Sequence, residues 1–141
     1  MEEKTLHKRS IVLPNDVQYL PTLNKLVDEA CESVGFDQTL TMQMNLAIEE
    51  AIVNVMEYAY PKGDQETIKV DLEITDGCMT FVISDRGIPF DPTTRGNVDI
   101  TLSAEERPIG GLGIHLVKTL MDSVNYQYVD GWNILKLSKN F

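Results

Sequence analysis

Positive charge is scarce in this chain. Twelve Lys and Arg stand against 22 Asp and Glu over 141 residues, a formal net charge of −10. So acidic a surface repels a phosphate backbone, which excludes direct nucleic-acid binding and an anionic membrane as main partners. Cysteine is nearly absent: Cys31 and Cys78 are widely separated and have no cluster of histidines beside them, so neither a disulfide framework nor a metal centre is expected of them. Both read as small apolar fillers. No apolar run reaches the roughly 18 residues that a membrane-spanning helix needs. Residues 1–8 are charged where a signal peptide has its apolar centre, and the expected location is the cytoplasm. Repeats, low-complexity tracts and linkers are missing as well. What remains is 43% hydrophobic and 24% charged, an ordinary globular composition that reads as a single domain over residues 1–141. Any phosphate-bearing ligand of this acidic domain must be met by backbone N–H groups, a helix N-terminus or a divalent cation.

Turn formers and periodicity divide the chain. Residues 5–13 read as a first strand, closed by Pro14 and the helix-starting pair Asn15-Asp16. A helical pattern covers residues 17–34, interrupted near Pro21 and stopped by Gly35; a longer one covers residues 37–58. Strands are expected at residues 67–74 and 79–84, joined across Thr75-Asp76-Gly77. Residues 86–109 then form a loop long enough to suggest a lid or a binding segment. A third helix is expected over residues 114–121. Strands at 124–129 and 132–137 end the chain as a hairpin across Asp130-Gly131. The class is α+β in two layers, a mostly antiparallel sheet with helices.

Three stretches carry chemistry. The first is "DRGIPFDP", residues 85–92, which follows an apolar strand. Asp85 stands where the strand ends, Gly87 permits a close backbone approach, and Pro89 and Pro92 stiffen the exit. The octapeptide fits an ordinary turn and equally a corner that holds a flat polar ligand.

The second is "NLAIEEAIVNVMEYAY". At the helical period Met44, Ala47, Ile48, Ala51, Ile52 and Val55 make one apolar face, with Asn45 and Glu49 along a solvated flank. Glu50, Asn54 and Glu57 line up as a second polar stripe bordered by Leu46 and Val53. If the stripe faces a cleft, the Asn54 amide oxygen suits a hard cation and the Glu50 carboxylate suits a general base. If it faces water, both are plain surface residues.

The third is "RPIGGLGIHLVKTLM", which sets Gly110, Gly111 and Gly113 immediately before a helix, an arrangement that presents N–H groups and positive partial charge to an anion. A Rossmann fingerprint does not fit, because it must open the first βα turn of a parallel unit. A lysine-bearing phosphate loop does not fit either, since Gly-Lys-Ser and Gly-Lys-Thr are absent. His115 has no triad partners in view and reads as a surface residue.

Taken in order, the Glu-x-x-x-Asn helix, the Asp-x-Gly-x-Pro-Phe turn, the long loop and Gly-Gly-Leu-Gly resemble the GHKL nucleotide-binding family of gyrase, heat-shock chaperone, histidine kinase and mismatch-repair ATPases. The resemblance runs from about Leu6 to Leu137 and is most specific in "EEAIVNVMEYAY", "SDRGIPFDP" and "RPIGGLGIHLV". Within the family it is nearest to the bacterial anti-sigma factor serine/threonine kinases. It implies a Bergerat-type ATP-binding fold, with a mostly antiparallel mixed sheet and helices on one face. It also implies ATP and Mg2+ as ligands. Glu50 would be the catalytic base, Asn54 the magnesium ligand, and Asp85 the acceptor for the adenine amino group. Gly87 would let the purine edge approach. Gly110, Gly111, Leu112 and Gly113 would border the phosphates. Residues 95–109 would form the lid, with Arg107 on a phosphate. The implied partners are an anti-sigma factor antagonist, which is phosphorylated, and a sigma factor, which is sequestered; the implied assembly is a homodimer. Two departures stand out: Tyr58 occupies a place where related kinases often have histidine, and no basic residue closely follows Asn54. The alternative in another class is a non-catalytic module that binds a protein partner under nucleotide control.

Overall fold

Apolar residues at every second position dictate the sheet. The computed structural model describes residues 5–60, 66–94 and 111–141. Strands β1 (Thr5–Pro14), β2 (Thr67–Thr75), β3 (Cys78–Asp85), β4 (Ser123–Val129) and β5 (Trp132–Asn140) form one sheet in the order β1-β2-β3-β5-β4. Ile68, Val70, Leu72 and Ile74 of β2 alternate with polar neighbours, Met79, Phe81 and Ile83 of β3 alternate with the less buried Thr80, Val82 and Ser84, and the first set of each strand is buried. Against that face lie α1 (Leu20–Ser33), α2 (Gln38–Tyr58) and α3 (Gly111–Leu120). The opposite face carries Lys69, Asp71, Thr80 and Ser84, and Val12 there is 59% exposed. Two layers and one core result, as the α+β reading expects.

Among the described residues the sheet is antiparallel at every pairing, where the resemblance implied a mostly antiparallel mixed one. A helical crossover from β3 to a neighbouring strand would give a parallel pair. Here α3 leads to β4 at the sheet's edge, and the hairpin across Asp130-Gly131 then inserts β5 between β3 and β4, antiparallel to both.

The helices start where their caps allow. Asp37 caps α2, its carboxylate accepting from Leu40 N at 2.8 Å. Pro21 lies in the first turn of α1, where its missing N–H is harmless, and Val17–Tyr19 ahead of it form only a 3-10 turn. Met44, Ala47, Ile48, Ala51, Ile52 and Val55 are buried as the periodicity predicts. Asn45 and Glu49 are a correction, because their flank faces α1 instead of water. Asn45 Nδ2 donates to Asp28 Oδ1 at 2.7 Å, and Asn24 Nδ2 to Glu49 Oε2 at 3.5 Å. Helix α3 begins at Gly111, three residues before the expected start, so Gly113 belongs to its first turn.

Candidate active site

The polar stripe of α2 meets the first turn of α3. Asn54 is 2% exposed, Glu50 is half-buried and Glu57 is exposed, so the stripe enters a cleft at its middle and leaves it at its end. Asn54 Nδ2 donates to the Glu50 backbone carbonyl at 2.9 Å. Among the described residues its buried Oδ1 has no hydrogen-bond partner, an arrangement that costs about 1–3 kcal/mol unless something else meets the oxygen. Across from it, a Cβ on Gly113 would stand 2.4 Å from Glu50 Oε2 and 3.6 Å from Asn54 Nδ2. Gly113 is thus the position that lets α3 close on the carboxylate. Burial pushes the Glu50 carboxyl above the usual carboxylate range, and the neighbouring charges of Glu49 and Glu57 push the same way.

This donor set fits a magnesium ion that relies on phosphate oxygens for most of its shell. Asn54 offers a hard, neutral, unpartnered oxygen. Among the described residues no cluster of three or more His, Cys, Asp or Glu could supply an all-protein cage. Magnesium commonly binds through one or two protein groups plus phosphates and water.

The end of β3 builds the second half of the site. Asp85 is 2% exposed, and its Oδ1 accepts from Gly87 N at 2.8 Å and from Asn133 Nδ2 at 2.9 Å. Burial pushes its carboxyl up, and those two donors pull it partly back. Gly87 has a visible reason of its own: a Cβ there would lie 2.2 Å from the Ala59 carbonyl oxygen. Ile88 N donates to that same oxygen at 2.8 Å. Tyr60 adds a second pin, its hydroxyl donating to Thr67 O at 2.8 Å and accepting from Arg86 N at 2.9 Å. Tyr58 stacks on Phe90, with ring centroids 5.1 Å apart. The turn after Asp85 is therefore moored to the C-terminal end of the helix that carries Glu50 and Asn54. At about 1.5 Å of rise per residue, Asn54 and Ala59 are roughly 7.5 Å apart along that helix.

Glu50, Asn54 and Gly113 come together directly, and Asp85 and Gly87 form a second group at the end of β3, in the turn moored to the C-terminal end of α2. Gly111 and Leu112 open α3. Arg107, Gly110 and the expected lid, residues 95–109, lie outside the described residues. His115 is exposed and takes no part. The residue missed by sequence reasoning is Asn133. Its signal was present: in "WNILKL" it alternates in phase with Leu135 and Leu137, which places an amide on the core side of a strand.

Residues 13–139 match the histidine kinase-like ATPase domain family. The serine-protein kinase RsbW of Listeria monocytogenes is 30% identical over 136 residues, covering 93% of this chain and 87% of the relative. RsbW of Bacillus cereus is 26% identical over 132 residues, covering 91% and 82%. Among solved structures, that of the RsbU and RsbW domains of Rv1364c from Mycobacterium tuberculosis superposes with a TM-score of 0.66 at 17% identity. It covers 95% of this chain, which spans 32% of that longer one, and it bears on the fold alone. The relatives carry the enzyme class that the motifs imply, a protein serine kinase, and the matched region takes in both halves of the site. By that match and by those relatives, the chain belongs to the histidine kinase-like ATPase domain family.

Proposed function

We propose that the protein is a cytoplasmic, magnesium-dependent protein serine/threonine kinase that transfers the terminal phosphate of ATP to an anti-sigma factor antagonist and, as a homodimer, sequesters a sigma factor. The observation that carries the reading is the buried Asn54, whose Oδ1 has no hydrogen-bond partner among the described residues, one helical turn from a Glu50 carboxyl that faces Gly113 across the cleft. A solvated helix face would neither bury Asn54 nor half-bury Glu50.

In this reading the two halves of the site hold the two ends of one nucleotide. Asp85 accepts a hydrogen bond from the adenine amino group at the end of β3. Asn54 Oδ1 would hold the magnesium ion, and Gly111 and Gly113 would border the phosphates beside the N-terminus of α3, where N–H groups and the helix dipole favour negative charge. Bound magnesium supplies neutralisation of the charge on the phosphates. Glu50 takes the proton of the substrate hydroxyl onto its carboxylate. Its raised affinity for protons makes it a better base near neutrality than an exposed glutamate. The resemblance assigns the lid to residues 95–109 and a phosphate contact to Arg107, all outside the described residues.

A second reading keeps nucleotide binding and drops catalysis, leaving a module that changes partner with its nucleotide. It gives no role to a half-buried carboxyl pressed against Gly113. The test is incubation of labelled ATP with the co-purified partner, with and without a magnesium chelator. Magnesium-dependent label on a partner serine or threonine is the expected result. A partner that binds but never acquires label would return the protein to the binding-module class.

A further inference from the structure

Asn133 is 3% exposed and stands directly opposite Asp85 in the pairing of β3 with β5. Its Nδ2 donates to Asp85 Oδ1 at 2.9 Å and to Ile88 O at 2.9 Å, with Gly87 O at 3.4 Å. Its Oδ1 accepts from Phe90 N at 3.1 Å and from the Tyr126 hydroxyl. A primary amide has two donor hydrogens and two acceptor lone pairs, and here all four are in use. The network also fixes which end is which. Turning the amide over would aim N–H at the Phe90 N–H and set oxygen against a carboxylate and two carbonyls.

One side chain therefore holds both the carboxyl and the turn that follows it. Among the described residues, the hydrogen bonds to Asp85 both fall on Oδ1, so Oδ2 is the atom turned over to a ligand. An amino group at position 6 of a purine donates to such an oxygen, whereas an oxo group repels it. The carboxyl loses this discrimination if it rotates or carries a proton, because a protonated acid can donate to the oxo group.

We propose that Asn133 is a positioning residue for base recognition, holding the Asp85 carboxyl fixed in orientation so that the site selects 6-amino over 6-oxo purine nucleotides. The proposal rests on the reading of Asp85 as the acceptor for the purine amino group. The ionisable groups facing Asp85 are Tyr60 just beyond the end of α2 and Tyr126 from β4, with Arg86 next in the chain; Glu66 acts on the first hydroxyl, and Asp91 and Tyr128 on the second. Burial pushes both tyrosines up, away from neutral pH, so neither competes with the carboxyl for a proton there.

The experiment titrates ATP and GTP into the parent chain and into the Asn133→Asp, Asn133→Leu and Asp85→Asn variants, from about pH 5.5 to about pH 8. Asn133→Asp keeps the shape and the acceptor for Phe90 N and Tyr126 but replaces the amide donor with a second carboxyl, which repels the Asp85 carboxylate and raises the pair's affinity for a proton. Its ATP preference should fall roughly tenfold, the size of one lost buried hydrogen bond. Its ATP affinity should weaken as the pH is lowered, because Asp85 without its donor takes up a proton sooner. Asn133→Leu should behave likewise. A scaffolding role alone would weaken ATP and GTP equally and independently of pH, and that result overturns the proposal. In the parent protein the Asn133 side-chain amide resonance should shift with ATP; an unmoved resonance overturns the proposal even if both variants fail to fold. If the parent does not distinguish ATP from GTP, or Asp85→Asn still does, the amino-group reading of Asp85 itself is what fails.

Discussion

Gly113 faces Glu50 at a distance that admits no side chain: a Cβ on Gly113 would stand 2.4 Å from Glu50 Oε2. The obstructed atom is the far end of a flexible side chain, so the carboxylate can swing aside at small cost to the fold. Its position as a base is then lost. Gly113→Ala should leave the thermal unfolding midpoint close to the parent value and lower phosphoryl transfer by about a hundredfold, the scale of an ångström's misplacement. Single-turnover transfer beside a melting curve checks it. A variant that melts early but transfers normally would contradict the assignment.

Gly87→Ala should behave in the opposite way. The Cβ would meet the Ala59 carbonyl oxygen at 2.2 Å, and that obstructing atom is backbone. The turn after β3 would have to leave α2, giving up the bond from Ile88 N to Ala59 O. A stability loss of about 1–3 kcal/mol is expected, read from denaturant unfolding without nucleotide.

Asn54→Leu should stabilise the protein without ligand while abolishing magnesium-dependent ATP binding. The substitution removes a buried oxygen that has no partner, and the Nδ2 bond it gives up goes to a helix carbonyl. A gain of about 1 kcal/mol is expected. Nucleotide titrations with and without chelator should become identical in the variant. A stability loss would mean that Oδ1 already has a partner in the free protein.

Glu50→Gln should separate binding from chemistry. Burial and the charges of Glu49 and Glu57 raise the folded-state affinity of Glu50 for its proton. Its contribution to stability is therefore full below the pH at which the unfolded chain ionises, and is lost as the pH rises through the raised folded value. At neutral pH the glutamine variant should be at least as stable as the parent, with a flatter pH dependence through the acidic range. Solvent screening of this half-exposed group keeps the gain small. ATP affinity should hold, and transfer should fall by about 10²-fold or more. Unfolding at several pH values beside a transfer assay checks both halves.

Local periodicity made much of this molecule legible. The apolar face of α2, the alternation in β2 and β3 and the two hairpin turns all lie within a few residues of the groups that cause them. Sequence spacing also brought Glu50 and Asn54 together, since residues four apart share a helix face. It could not say whether that face meets water or another helix; the approach of α3 at Gly113 decided it. Gly87 looked like a place for a ligand and is first a place for the Ala59 carbonyl. Asn45 and Glu49 looked solvated because α1 is invisible in the periodicity of α2. The antiparallel placement of β5 and its pairing of Asn133 with Asp85 across 48 residues were decided only by the tertiary structure. Alternation tells which face of a strand a side chain takes, but not which strand lies beside it or in what register. Those depend on closing long loops against a shared core, a free energy that belongs to the whole chain and to no segment of it.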